Sequence, residues 1–181
     1  MTDIPLNPNN DEFEPRRPKT GEGLLSTSGT IAVSDILKFI AGERRHRQEK
    51  ADQAADMIRR IGPYRWVGIY DIEEEDAAVI AWSGSNPPAF VRFPNTVGLL
   101  GEAVRSRGTI VANNVKSDPR YLTSFAGTQA EIIVPVLDPH TSKVVGTIDV
   151  ESDKLNAFRP TDQEVLEKCA AALWPLWSGG D

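Results

Sequence analysis

Apolar positions are scarce over residues 1–30, where Pro, Asn, Asp, Glu, Gly, Ser and Thr predominate, a pattern that predicts a disordered N-terminal arm. The rhythm then becomes helical. Ser34 reads as an N-cap with Asp35 at the positive end of the helix dipole. Ile36, Leu37, Phe39 and Ile40 open an apolar face, and residues 42–50 are almost wholly polar. Ala51, Ala54, Ile58 and Ile61 then recur at three- and four-residue steps. Gly62-Pro63 should end this helical stretch. The period next shortens to that of strands, in Arg65–Tyr70 and Ala77–Trp82, read as a hairpin across Asp71–Asp76. Ser83–Pro88 is a loop, Phe90–Phe93 is extended, Leu99–Arg107 suits a short helix closed by Gly108, and Thr109–Ala112 is a strand. Asn113–Thr128 is polar and long, as functional or locally helical loops are. Two apolar strands, Ala130–Leu137 and Val144–Val150, flank Asp138–Ser142. The last helix reads from Thr161, with Glu164 completing a capping box. Leu166, Ala170, Leu173 and Trp177 share its face, Val165 and Cys169 widen it, and Pro175 should end or kink it.

Consecutive strands joined by short turns, with helices at both ends of the chain, predict an α+β fold: a central antiparallel sheet with the N- and C-terminal helices packed on one face, in two or three layers. The expected organisation is an arm over 1–30, one domain over 31–177 and a tail over 178–181.

Composition narrows the function. The 181 residues are 40% hydrophobic, enough for one core. No apolar run approaches the ~20 residues that cross a bilayer, and the start lacks a signal-peptide pattern; a cytoplasmic protein with no membrane partner is expected. The net charge of −6 and pI near 5.0 give no broad footprint for nucleic acid. The basic clusters Arg44-Arg45-His46-Arg47 and Arg59-Arg60 are interleaved with Glu43, Glu49, Asp52 and Asp56, as on a solvated helix face. The single cysteine, Cys169, excludes an intramolecular disulfide. His46 and His140 have no partner at metal-ligand spacing, so no metal and no cofactor is expected.

Several segments, in order and at the expected spacing, resemble the GAF family, and within it the branch of the free methionine-(R)-sulfoxide reductases. They are Ala41-Gly42-Glu43; Trp66-Val67-Gly68-Ile69-Tyr70; Pro88–Pro94 followed by Gly98-Leu99-Leu100-Gly101; Glu131–Val136; Gly146–Ser152; and Phe158 four residues before Asp162. The likeness spans about residues 33–175. It implies a GAF-like sheet, and it implies site residues. The branch uses three cysteines where this chain has Phe90, Leu100 and, less securely aligned, Ser124. Sulfoxide reduction of that kind needs an attacking and a resolving thiol. Cys169, among apolar helix neighbours, has the setting of an inert thiol. The expectation is therefore no catalytic residue and no enzyme, with a divergent reductase as an alternative.

The positions matching the branch's substrate site are Trp66, Tyr70, Glu131, Asp149 and Glu151. Asp149 and Glu151 alternate with Val150 and so share a strand face. Three carboxylates on one pocket repel one another unless a cation or protons compensate, and a bound ammonium supplies that cation, with Trp66 as a cation–π face or apolar wall. Against this stands a plain structural reading: Asp149 and Glu151 bonding local backbone, and Trp66 as core. The expected function is a small-ligand GAF domain, amino-acid or amine-binding, acting as a sensor through a separate output protein. A second reading is a dimerisation module whose pocket Phe90 and Leu100 fill. A homodimer through the terminal helices is also expected, with Ala51, Ala54, Ile58, Trp174 and Trp177 as seam residues.

Overall fold

The computed structural model describes residues 33–42 and 46–179; the N-terminal arm and part of the basic cluster at 44–47 lie outside these. Within them are helices α1 (Val33–Ala41) and α2 (Arg47–Arg59), strands β1 (Trp66–Ile72), β2 (Asp76–Gly84) and β3 (Arg92–Pro94), helix α3 (Gly98–Ser106), β4 (Ile110–Ala112), a 3-10 turn at Val115–Ser117, β5 (Ala130–Leu137), β6 (Val144–Ser152), α4 (Pro160–Leu173) and α5 (Pro175–Ser178).

The six strands form one antiparallel sheet in the order β3-β2-β1-β6-β5-β4. Strand alternation divides the interior into two clusters. Val67, Ile69, Ile132, Val134, Ile148 and Val150 face α1, α2 and α4. Trp66, Tyr70, Val79, Trp82 and Ile133 face the other way, toward Leu99, Leu100 and Ala103 of α3. The architecture is three-layered: terminal helices, sheet, and then α3 with the loop between β4 and β5. Because both faces are covered, β5 and β6 are buried almost throughout, although β6 alternates apolar Ile148 and Val150 with polar Thr147, Asp149 and Glu151.

Local corrections follow from specific contacts. The stretch read as one helix is two, α1 ending at Ala41 before Gly42. Ser34 lies inside α1 rather than at its cap. The C-cap of α3 is Arg107, left-handed at φ 55°, in place of the expected Gly108. At α4 the cap is Arg159, whose backbone N–H donates to Asp162 Oδ2 at 2.9 Å, with Pro160 at the first helical position; Thr161 lies inside the helix.

The residues expected at a dimer seam are used within the chain. Ala51, Ala54 and Ile58 are fully buried against the sheet. Trp177 lies over Gly146, where a Cβ would stand 2.2 Å from its ring. Its indole N–H donates to Asp71 Oδ1 at 2.7 Å, and the Arg47 guanidinium sits 5.3 Å from the ring centroid. Among the described residues no helix is long and apolar enough to cross a membrane.

Candidate functional site

Gly68, at the middle of β1, organises the far face of the sheet. It pairs with Asp149 on β6, and its neighbours Trp66 and Tyr70 pair with Glu151 and Thr147. A Cβ on Gly68 would lie 2.3 Å from Trp66 Cη2 and 2.9 Å from Tyr70 Cε2, so the two rings lean together over it. Glu131 on β5 pairs with Glu151. The alternation that sends Ile148 and Val150 to the helices sends Asp149 and Glu151 to the opposite face.

That face opens into a cavity lined by Trp66, Tyr70, Phe90, Leu100, Ser124, Glu131, Asp149 and Glu151. The structure therefore brings together all eight residues singled out from the sequence. The space open to the centres of water-sized molecules is about 40 Å³, room for about three or four water-sized groups; Phe90 and Leu100 narrow the cavity without filling it. The floor is carboxylic. Glu131, Asp149 and Glu151 are 7%, 8% and 0% exposed, and one oxygen of each lies within 4.8 Å of the others.

Their electrostatics follow from burial. Burial first, then Asp149 and Glu151, pushes the Glu131 carboxyl far above its ordinary range. Asp149 is pushed up by burial and by Glu151, while its hydrogen bond with Glu131 acts the opposite way. The same bond holds Glu131 up, so the two carboxyls share a proton between them. Glu151 is raised by burial too, but it accepts hydrogen bonds from Ser124 and Thr128, and Arg65 nearby favours its charged form. Asp149 Oδ1 is buried with no hydrogen-bond partner. Burial, followed by the three carboxylates, also raises the Tyr70 phenol well above its ordinary value.

The sequence reading missed the loop that closes the site. Phe125 packs on Trp66 with ring centroids 5.4 Å apart, Leu122 joins the lining, and Arg65 holds the loop by donating to the Ala126 carbonyl at 2.9 Å. Leu122 and Phe125, large apolar side chains in a mostly polar stretch, were the available signal. Phe93 was likewise missed; it meets Tyr70 edge-on at 5.8 Å.

Cys169 is 0% exposed on α4, in the helix-side cluster. Burial pushes its thiol up to about 12. The sheet separates it from the cavity.

Comparison with known proteins matches residues 45–177 to the GAF domain. GAF domain-containing protein A of Dictyostelium discoideum is 30% identical over 78% of this chain and 87% of its own. The free methionine-R-sulfoxide reductase of Saccharomyces cerevisiae is 27% identical over 60% of each chain. The solved structure of the type II free methionine-R-sulfoxide reductase of Thermoplasma acidophilum superposes with a TM-score of 0.68 at 31% identity, covering 78% of this chain and 94% of that one. These relatives correct the expectation that the chain is not an enzyme: proteins this similar in sequence and fold include free methionine-R-sulfoxide reductases. With a match over most of its length and a catalogue of segments in the same order, the chain belongs to the GAF domain family.

Proposed function

We propose that the cavity binds a small molecule through a cationic amine, as a free amino acid or amine carries. One observation carries the reading: three buried carboxyl groups face a cavity whose lining includes no Lys, Arg or His. Buried charge is retained where it is paired or hydrogen-bonded. Glu151 has Ser124 and Thr128, but Asp149 Oδ1 has no partner. An ammonium group supplies both the missing donors and the missing positive charge. The relatives add weight, since free methionine sulfoxide, named in theirs, is an amino acid and brings such a group. Recognition is common ground between a reductase and a ligand-responsive domain, and it is recognition that these residues support.

Isothermal titration of the full chain with methionine sulfoxide, methionine and simple alkylammonium salts tests the reading. Phosphate buffer keeps buffer amines out of the site. Saturable binding that Glu131→Gln weakens at least tenfold, with an unchanged circular dichroism spectrum, supports it. Equal affinity in the variant, or no binding by any amine, overturns it.

A further inference from the structure

The cationic reading leaves open which amine the site prefers, and the walls around the carboxyls bear on that choice. Trp66 and Tyr70 flank Gly68 and lean together over it, directly beside the Asp149 that pairs with Gly68. Each ring is backed by another: Phe125 stands 5.4 Å from Trp66, and Phe93 meets Tyr70 at 5.8 Å and an interplanar angle of 79°. The indole N–H of Trp66 is already given to the Asn86 carbonyl at 3.2 Å, so Trp66 offers the cavity no free donor. A bare ammonium in this place would satisfy the carboxyls but would present unsolvated N–H groups to aromatic walls. Methyl groups on the nitrogen spread its positive charge onto carbon and suit those walls.

Resting on the amine reading above, we propose that the site selects N-methylated ammonium groups that retain one N–H. The methyls meet Trp66, Tyr70 and their backing rings, and the remaining N–H meets Asp149 Oδ1, which is buried and otherwise without a partner. A head of this kind has about four heavy atoms, matched to the about 40 Å³ open to atom centres. A quaternary ammonium keeps the charge and the methyls but leaves Asp149 Oδ1 unsatisfied, so it is the weaker ligand.

Isomers of one formula separate the proposal from its parent. Trimethylammonium, N-methylethylammonium and n-propylammonium share size, charge and composition and differ in methylation at nitrogen. Titrated into the full chain in phosphate buffer, trimethylammonium is expected to bind about tenfold more tightly than n-propylammonium, with N-methylethylammonium between them and tetramethylammonium weaker than trimethylammonium. Trp66→Leu is expected to erase the preference while n-propylammonium still binds. Phe125→Leu, which removes the ring packed on Trp66, reads the same loss if Trp66→Leu does not fold. n-Propylammonium binding as well as trimethylammonium overturns the methylation preference and leaves the amine reading standing. Tetramethylammonium binding as tightly as trimethylammonium overturns the role given to the N–H. No response to any of the four salts overturns the proposal, and the amine reading falls with it where methionine and methionine sulfoxide also fail to bind.

Discussion

Glu131→Gln should make the ligand-free protein more stable at alkaline pH. The glutamine amide keeps the shape of the side chain and donates to Asp149 as the protonated carboxyl does, but it cannot ionise. Glu131 is 7% exposed and its carboxyl is pushed far up by burial, Asp149 and Glu151. In the unfolded chain it ionises at its ordinary value near 4.3. A native group with a raised pKa binds more protons than the unfolded state, so its contribution to stability is full below the unfolded pKa and is lost as pH rises toward the folded one. Each unit of elevation corresponds to about 1.4 kcal/mol once the pH exceeds both values. Strain at buried polar and ionic sites of this type runs to about 1–3 kcal/mol. For a chain of this size each kcal/mol moves the melting temperature by about 2–4 °C, which gives a gain of roughly 2–12 °C at pH 8. The assay is thermal unfolding by circular dichroism in amine-free buffer from pH 5 to 9, wild type beside variant. The gain should grow with pH and shrink toward pH 5. A variant less stable than wild type across the range, or a difference that does not change with pH, refutes the reading of Glu131 as a buried carboxyl that resists ionisation.

Amine affinity should rise with pH, because the cation displaces the proton shared by Glu131 and Asp149; titrations in buffers of different ionisation enthalpy should show proton release, and a pH-independent affinity would count against it. Thr128→Val removes one of the two hydroxyls whose hydrogen bonds favour the charged form of Glu151 against its burial; it should cost about 1–3 kcal/mol, more at pH 8 than at pH 5, by denaturant titration. Gly68→Ala drives a Cβ into the Trp66 ring; a loss of about 1–3 kcal/mol together with weakened amine binding is expected, and unaltered binding would show that the ring's position does not matter. Cys169, sealed in the helix-side core with its thiol pushed up to about 12, should react with a disulfide reagent only as fast as the protein opens; rapid labelling of the folded chain would refute its placement.

The order of elements was legible because each carried its own period. Ala130–Leu137 is one strand, as read, and the hairpin at Asp71–Asp76 and the break at Pro175 stand near where Gly, Pro and acidic turn residues placed them. Boundaries slipped where a long-range partner decided them: β6 runs on to Ser152 because β5 pairs with it to the end, and Asp162, not Thr161, closes the cap of α4.

The chain alone also fixed that Asp149 and Glu151 share a face, since alternation along a strand is a local property. It could not say whether that face meets water, core or a cavity. Only the sheet order, with β6 between β1 and β5, sets Glu131 and Asp149 beside Trp66, more than sixty positions earlier in the chain. Only the closed loop buries them, through Phe125 on Trp66 and two hydroxyls on Glu151. Burial is what turns three ordinary acids into a proton-sharing site, because desolvation depends on everything packed around a group and on nothing in its own sequence neighbourhood. The fate of Trp177 was decided the same way: exposed by its position near the terminus, it is covered because Gly146, far along the chain, leaves room for its ring.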